Sequence, residues 1–382
     1  MAASRWPLVM LFALLLQLAT ANDEYAIVSS LREDGSAVGV VRHARVLFLL
    51  YDETIIGAEF DDPQLRSQTA YPGFTIMQCA AYLVHKPRHA LQIGLGIGSV
   101  PSFLRQQGIP TDVVEISEAV VKQAADYFQY ERCETGDDAT KCPNGETLVM
   151  DGLEFLARPA PDEEDRYELL VVDVYTGWNP FLFFVQEAVA EMRDKWLVRR
   201  GGVLVMNFVG FFNGPQSAAP KSIYRTLLTL FPHVKCFREM ADPEETEAGN
   251  IVFYASDRPI EFNTPKTREY QNPNFNTYFA VVAHFQQWEI FQELQQERVE
   301  VEVHQGVDAE EVQFATSAGS SGVGGDGEDA ALRVRVLTRE DHGQDDFADI
   351  HRETQEHMRR RVREQFPDAF WSEFLPPASA TA

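Results

Sequence analysis

The chain has 382 residues and a formal net charge of -25 at pH 7, with 58 acidic against 33 basic residues. This charge excludes nucleic acid as a partner, because a protein that neutralises phosphates needs a basic surface. The length fits one large α/β domain with extensions, or two domains.

The first 21 residues are predicted to be a signal peptide. Arg5 precedes an apolar run over Pro7–Leu18, and Ala19–Ala21 supplies a small-x-small cleavage pattern before Asn22. The run is shorter than the roughly 20 apolar residues that span a bilayer, and no later segment is long and apolar enough to do so. We therefore expect the protein in the secretory pathway or secreted, with no membrane span after signal removal. A signal anchor or an organellar address is the alternative.

Residues 22–72 are predicted to form a small N-terminal β subdomain. Val38–Val41 and Arg45–Tyr51 are apolar runs typical of strands, and Asp34-Gly35 and Asp52-Glu53 supply turns. A helix is predicted to follow over 74–85.

Residues 73–260 alternate between strands and helices, which predicts a doubly wound α/β domain with a parallel sheet covered on both faces. The predicted strands are Ala90–Ile93, Asp112–Glu115, Thr147–Val149, Leu169–Asp173, Val203–Asn207 and Ile251–Ala255. The predicted helices are Glu118–Tyr130, Pro180–Trp196 and Pro220–Phe231.

A nucleotide site is predicted where the first of these strands meets a helix. Gly94, Gly96 and Gly98 permit a tight turn that lets a ligand approach the backbone. Glu115 ends the next strand, where an acid hydrogen-bonds a ribose diol. The third glycine comes one residue earlier than in nicotinamide dinucleotide folds, which favours an S-adenosylmethionine-type ligand.

Two later acids, Asp151 before Gly152 and Asp173, also follow predicted strands. Open α/β sheets bind ligands at this edge, so Asp151 is a candidate for the adenine amino group and Asp173 for the reacting end of the ligand. Each acid can instead cap the helix that follows it.

Cys133 and Cys142 bracket a polar insert, and a disulfide there would hold the loop. Four free thiols in a reducing compartment are the alternative. The histidines and cysteines lack metal-ligand spacing, so no metal site is predicted.

Beyond residue 260 the alternation stops. A helical extension is predicted over 261–315, with an amphipathic helix at Tyr278–Glu297, then a disordered linker over 316–330 and a charged helical tail over 331–382. Within the tail, a helix over Ile350–Gln365 precedes four aromatic residues that are expected to dock on the main domain or on a partner: Phe366, Phe370, Trp371 and Phe374.

From Tyr25 to Ser256 these motifs together resemble the spermidine synthase family of polyamine aminopropyltransferases and its methyltransferase-like relatives. The resemblance implies a Rossmann-like class I methyltransferase sheet that binds S-adenosylmethionine or its decarboxylated form. It also implies that Glu115 holds ribose, Asp151 adenine and Asp173 the reacting centre, with Tyr71 near the acceptor. A homodimer is expected from the family's habit.

Two departures from the family favour methyl transfer over aminopropyl transfer. Aminopropyltransferases typically carry acids at the positions of Ile97 and Thr176, where they help to hold ammonium groups. An apolar Ile97 suits intact S-adenosylmethionine, whose carboxylate an aspartate would repel.

The acceptor is expected to be an amine or carboxylate of a small molecule or protein. Asp173 is the candidate base, Tyr175 and Trp178 are candidate walls of the acceptor pocket, and Asn207 is a weaker candidate. The alternatives are an aminopropyltransferase with a rebuilt acceptor site and a non-catalytic binding or scaffold protein.

Overall fold

A computed structural model of the protein describes residues 24–62, 69–134, 142–238, 247–263, 279–296, 334–342 and 347–375. The expected signal peptide and the expected linker over 316–330 lie outside these residues. Among the helices that are described, none is both long and apolar enough to cross a membrane.

The N-terminal segment forms a four-stranded antiparallel sheet in the order β1-β2-β3-β4. Its strands are β1 (Tyr25–Glu33), β2 (Ser36–His43), β3 (Val46–Tyr51) and β4 (Thr54–Phe60). The predicted turns are present at both places, and Asp34 and Asp52 adopt the left-handed conformation with φ of 49° each. The small N-terminal β-sheet is therefore confirmed.

Seven further strands form the main sheet, in the order β10-β11-β9-β8-β5-β6-β7. They are β5 (Ala90–Ile93), β6 (Thr111–Glu115), β7 (Thr147–Val149), β8 (Leu169–Val172), β9 (Val203–Gly210), β10 (His233–Arg238) and β11 (Gly249–Ser256). Strands β5 to β9 are parallel, whereas β11 runs antiparallel to both of its neighbours. The prediction of a parallel sheet is confirmed for β5 to β9 and was wrong for β11, and β10 was not predicted.

Helices cover both faces of the main sheet, so the doubly wound α/β class is confirmed. They are α1 (Pro72–Gln78), α2 (Ser99–Gln106), α3 (Glu118–Tyr127), α4 (Gly152–Ala157), α5 (Gln186–Glu191), α6 (Ala218–Leu228), α7 (Phe279–His284), α8 (Ala348–Glu364) and α9 (Asp368–Phe374). Buried clusters line both faces, one around Leu91, Val172 and Phe253 and the other around Val171, Val205 and Tyr254.

Three predicted helices are interrupted by turns of another helix type. The helix over 74–85 is α1 followed by a 3-10 turn at Cys79–Tyr82. The helix over Pro180–Trp196 is divided into a 3-10 turn, α5 and a π-helical turn. In the predicted amphipathic helix, α7 is followed by a 3-10 turn at Phe285–Trp288.

The aromatic tail docks on the N-terminal sheet of the same chain. Phe366, Phe370, Trp371 and Phe374 are buried in one cluster with the outer face of β2 and β3. Phe374 packs directly over Gly39, where a Cβ atom would lie 2.2 Å from its ring. This docking fixes α9 and places α8 across the carboxyl edge of the main sheet.

Candidate active site

A cavity of about 1280 Å³ lies at the carboxyl edge of the main sheet. Residues that follow β5, β6, β7 and β8 line it, together with the β3–β4 turn and α8. The edge includes the point between β5 and β8 where the strand order reverses, which is where open α/β sheets bind ligands. The volume exceeds the roughly 300–1,000 Å³ of a typical ligand pocket, so it has room for a cofactor and an acceptor group.

The glycine turn after β5 forms part of the cavity wall. Gly94 has a φ of 87°, and a Cβ atom there would lie 2.0 Å from the carbonyl oxygen of Asp173, so no other residue fits. Gly96 also lines the cavity and lies against the carbonyl of Ile56 in β4. Gly98 precedes α2 and packs against the ring of Tyr130, outside the lining that the described residues form.

Glu115 ends β6 with its carboxylate buried beside the glycine turn. It accepts hydrogen bonds from the backbone N–H of Leu95 at 2.8 Å and of Ser117 at 3.0 Å. Burial raises the pKa of this carboxyl, and the two N–H donors oppose the rise. The carboxylate thus fixes the shape of the turn, as well as lining the cavity.

Asp151 and Gly152 open α4 at the cavity wall. The Asp151 side chain caps this helix, because its Oδ1 accepts from the N–H groups of Leu153 at 2.7 Å and Glu154 at 3.0 Å. A Cβ atom on Gly152 would lie 2.5 Å from the Ile93 side chain, so this glycine serves the packing of helix on strand. Capping uses one oxygen of Asp151, and a role in binding adenine stays a prediction.

Asp173 follows β8, and part of its side chain remains open to the cavity. Its Oδ1 accepts from Nδ2 of Asn207 at 2.8 Å, and the same amide donates to Asn250 at 2.9 Å. Loss of water raises the pKa of Asp173 to about 6, which the Asn207 bond opposes. A carboxylate with this pKa is suited to accept a proton near neutral pH.

The three aromatic residues predicted for the acceptor side all line the cavity. Trp178 is 45% exposed and lies edge-on to His351 of α8. The Tyr175 hydroxyl is buried, and burial raises its pKa. Burial likewise raises the pKa of Tyr71 to about 12, beside Gln365. The structure thus brings these residues to one cavity with Asp173.

Helix α8 also forms part of the cavity wall, and sequence reasoning did not anticipate this. Gln355, Met358 and Arg359 of α8 line the cavity. Arg363 holds the helix to the β3–β4 turn through two hydrogen bonds to Glu53. The helix therefore stands over the acceptor side of the cavity.

Cys133 and Cys142 are joined by a disulfide in the structure, with their Cα atoms 5.7 Å apart. The free thiols of Cys79 and Cys236 are buried. Across the described ranges, no group of histidine, cysteine and acidic side chains is arranged to hold a metal ion.

Comparisons with known proteins show what the chain is similar to. No family model matches the chain. It is 30% identical over 203 residues to an N-terminal histidine N-methyltransferase of Emericella nidulans, covering 51% of this chain and 33% of that protein. It is 28% identical over 267 residues to a polyamine aminopropyltransferase of Vibrio vulnificus, covering 62% of this chain and 84% of that protein. A probable spermidine synthase from Corynebacterium glutamicum superposes with a TM-score of 0.50 at 16% identity, over 67% of this chain and 87% of that one.

The chain has the fold of the spermidine synthase-like, S-adenosylmethionine-dependent methyltransferase superfamily. Both curated relatives are transferases, one of methyl and one of aminopropyl groups. The chain spans about a third of the length of the Emericella nidulans protein.

Within this spermidine synthase-like fold, the two departures noted in the sequence lie in different environments. Ile97 is 4% exposed and packs against Gly57 of β4, away from the cavity lining that the described residues form. Thr176 is exposed and lines the cavity. The role expected for Ile97, to suit the carboxylate of intact S-adenosylmethionine, stays a prediction, and its side chain does not line the cavity.

Proposed function

We propose that the protein transfers a methyl group from S-adenosylmethionine to an amine. The observation that carries this proposal is Asp173, a carboxyl group of raised pKa open to the cavity and hydrogen-bonded to the neutral Asn207. A carboxylate in this setting can orient an amine and receive its proton.

The cofactor side of the proposal rests on the first strand ends. The glycine turn allows close approach of a nucleoside to the backbone, and Glu115 at the cavity wall is the residue for the ribose hydroxyls. Ile116, which is 63% exposed and lines the cavity beside Glu115, offers an apolar face to an adenine ring. Asp151 keeps one carboxylate oxygen for the adenine amino group.

The transfer step is a direct displacement. The amine nitrogen forms a bond to the methyl carbon, the bond from that carbon to sulfur breaks, and sulfur keeps the electron pair as S-adenosylhomocysteine forms. The amine must lose one proton, and Asp173 accepts it. The chain otherwise contributes proximity and alignment of the two substrates.

The pKa of about 6 at Asp173 favours some amines over others. An α-amino group with a pKa of about 8, or an imidazole of about 6.5, gives up its proton to such a base far more readily than a lysine-type amine of about 10.4. The relative from Emericella nidulans is named for methylation of an N-terminal histidine. Peptides that begin with a free α-amine, with histidine first, are therefore the acceptors to test.

Aminopropyl transfer is the second candidate, because the Vibrio vulnificus aminopropyltransferase matches the chain over most of its own length. Aminopropyl transfer requires carboxylates in the cavity wall that hold the cationic amines. Thr176 stands where the family pattern has one of these acids, and losing a charge-assisted hydrogen bond costs about 1.5–3 kcal/mol. This cost ranks aminopropyl transfer second.

The deciding experiment is calorimetric binding of S-adenosylmethionine and of decarboxylated S-adenosylmethionine to the purified protein. Tighter binding of the intact cofactor, followed by methylation of free but not acetylated peptide N-termini, is the expected result. Tighter binding of the decarboxylated form with product from diamines would establish aminopropyl transfer instead. If neither ligand binds, the chain is a binding or scaffold protein that keeps the fold.

A further inference from the structure

The guanidinium of Arg359 stands at the cavity wall with its hydrogen-bond donors largely unused. Its side chain is 49% exposed, and Nε lies 3.8 Å from Oε2 of Glu53, beyond hydrogen-bond range. Glu53 is already engaged, because Arg363 donates two hydrogen bonds to its other oxygen, one of them at 2.9 Å. No other acidic partner of Arg359 is found in the part of the chain that the structure describes.

A neighbouring arginine of the cavity wall, Arg361, has both an ion-pair partner and a hydrogen-bond acceptor. Arg361 lies 3.1 Å from a carboxylate oxygen of Glu247 and donates to the carbonyl of Ala248 at 3.4 Å. Among the residues that the structure describes, Arg359 has no such pair of contacts, although it lines the same cavity. Its charge is therefore available to a ligand.

A second polar group of the cavity wall lies within the electrostatic reach of Arg359. The Tyr175 hydroxyl is buried and has no hydrogen-bond partner among the described residues, and the charge of Arg359 acts on it. A buried polar group left unpaired is destabilising and uncommon in folded proteins. An oxygen atom of a ligand bound by Arg359 would give this hydroxyl an acceptor.

We propose that Arg359 binds a carboxylate of the substrate pair and that the Tyr175 hydroxyl donates to the same group. Arginine matches the planar geometry of a carboxylate and bonds it through two N–H groups. The acids on the strand-end walls, Glu115, Asp151 and Asp173, would repel a carboxylate, whereas α8 attracts it. This proposal rests on the proposed use of the cavity by S-adenosylmethionine and its acceptor.

The carboxylate has two sources, the methionine part of the cofactor or the acceptor. Decarboxylated S-adenosylmethionine lacks the first source and otherwise carries the same adenosyl and sulfonium groups. If the cofactor is the source, Arg359 on α8 discriminates between S-adenosylmethionine and its decarboxylated form, independently of the glycine turn.

The test compares Arg359→Gln with Arg352→Gln, a variant of the same helix. Arg352 is 65% exposed, pairs with Asp349 and lies outside the cavity lining. We expect Arg359→Gln to weaken calorimetric binding of S-adenosylmethionine by about 10-fold, the loss of one charge-assisted hydrogen bond in a half-exposed site. Binding of the decarboxylated form should change by less than about 2-fold, and Tyr175→Phe should act in the same direction but less strongly.

A different pattern supports the acceptor as the source. Arg359→Gln would then leave both cofactors unchanged and raise KM for a histidine-initiated peptide with a free C-terminal carboxylate, but not for its amide. Equal weakening of both cofactors, or no change in any measurement, would overturn the proposal. If the unmodified protein binds neither cofactor, both the proposed function and the role of Arg359 are refuted. If the unmodified protein binds S-adenosylmethionine and only the effect predicted for Arg359→Gln is missing, the proposed function stands.

Discussion

Replacing Asp173 by asparagine should stabilise the protein and lower the rate of the proposed methyl transfer. The folded pKa of about 6 lies above the ordinary aspartate pKa of 3.8, so the folded state binds this proton more tightly than the unfolded chain does. The stability linked to this proton is fully present below pH 3.8 and is lost as the pH rises through 6. A difference of about 2 pKa units corresponds to at most about 3 kcal/mol at pH 8.

The asparagine variant removes the charge and keeps an oxygen that can accept from Asn207, which now donates to Asp173 at 2.8 Å. The free energy of unfolding at pH 8 should therefore rise by up to about 3 kcal/mol, which raises Tm by about 2–4 °C per kcal/mol in a domain of this size. Below about pH 4 the two proteins should unfold alike, because the aspartate is then protonated in both states.

Two measurements carry this prediction, thermal unfolding from pH 3 to 8 and methyl transfer over the same range. The rate of the unmodified protein should rise with pH around 6, and Asp173→Asn should lower it by about 10²–10⁴-fold. Asp126→Asn, which removes an exposed carboxylate paired with Lys122, is the matched control and should change neither. A variant that is less stable at pH 8 would refute the argument from desolvation, and one that keeps its rate would remove Asp173 from proton transfer.

Three further variants test Glu115, the disulfide and the docking of the tail. In Glu115→Gln the side chain can accept only one of the two backbone N–H hydrogen bonds that the carboxylate accepts. Calorimetry should show roughly 10-fold weaker binding of S-adenosylmethionine, and denaturant unfolding should show a free energy of unfolding lower by about 1–3 kcal/mol. Unchanged affinity would exclude the carboxylate from the ribose site. Under non-reducing conditions the mass of the intact protein should be two hydrogens below that of the reduced protein, and a mass unaffected by reductant would contradict the disulfide. The double variant Cys133→Ser, Cys142→Ser should lower the free energy of unfolding by about 2–3 kcal/mol. Phe370→Ala removes a fully buried ring and should lower the free energy of unfolding, measured with denaturant, by about 3–5 kcal/mol. A decrease below about 1 kcal/mol would show that the tail is not anchored at this position.

The parallel strands near the site were predictable because each is a short apolar run between polar turns. β5 was predicted at its observed bounds, and β6 and β8 within one residue. β10 was missed because charged or polar residues interrupt it at His233, Lys235 and Arg238. The helix predicted over Pro180–Trp196 is divided because Phe181 and Phe183 are drawn into the core as a 3-10 turn.

The strand-end residues of the site could also be predicted, since parallel strands carry their carboxyl ends to one edge. The sequence left Asp151 between capping and binding, and the structure shows the cap. The contribution of α8 was beyond prediction, because the contact between Glu53 and Arg363 joins residues 310 positions apart. Exposed charges of this kind are typical of a solvated helix, and no local pattern distinguishes the residues that face a cavity.

The buried position of Ile97 implies that a single substitution cannot restore an aminopropyltransferase turn. Ile97→Asp would place a carboxylate in the apolar cluster against Gly57, at a cost of several kcal/mol, and should leave the protein unfolded or poorly soluble. Thr176→Asp changes an exposed residue of the cavity wall, so this variant should fold normally and bind decarboxylated S-adenosylmethionine more tightly than the unmodified protein does. Circular dichroism and calorimetry on both variants check this. A folded Ile97→Asp variant with improved binding would mean that the turn can rearrange to present this side chain to the ligand.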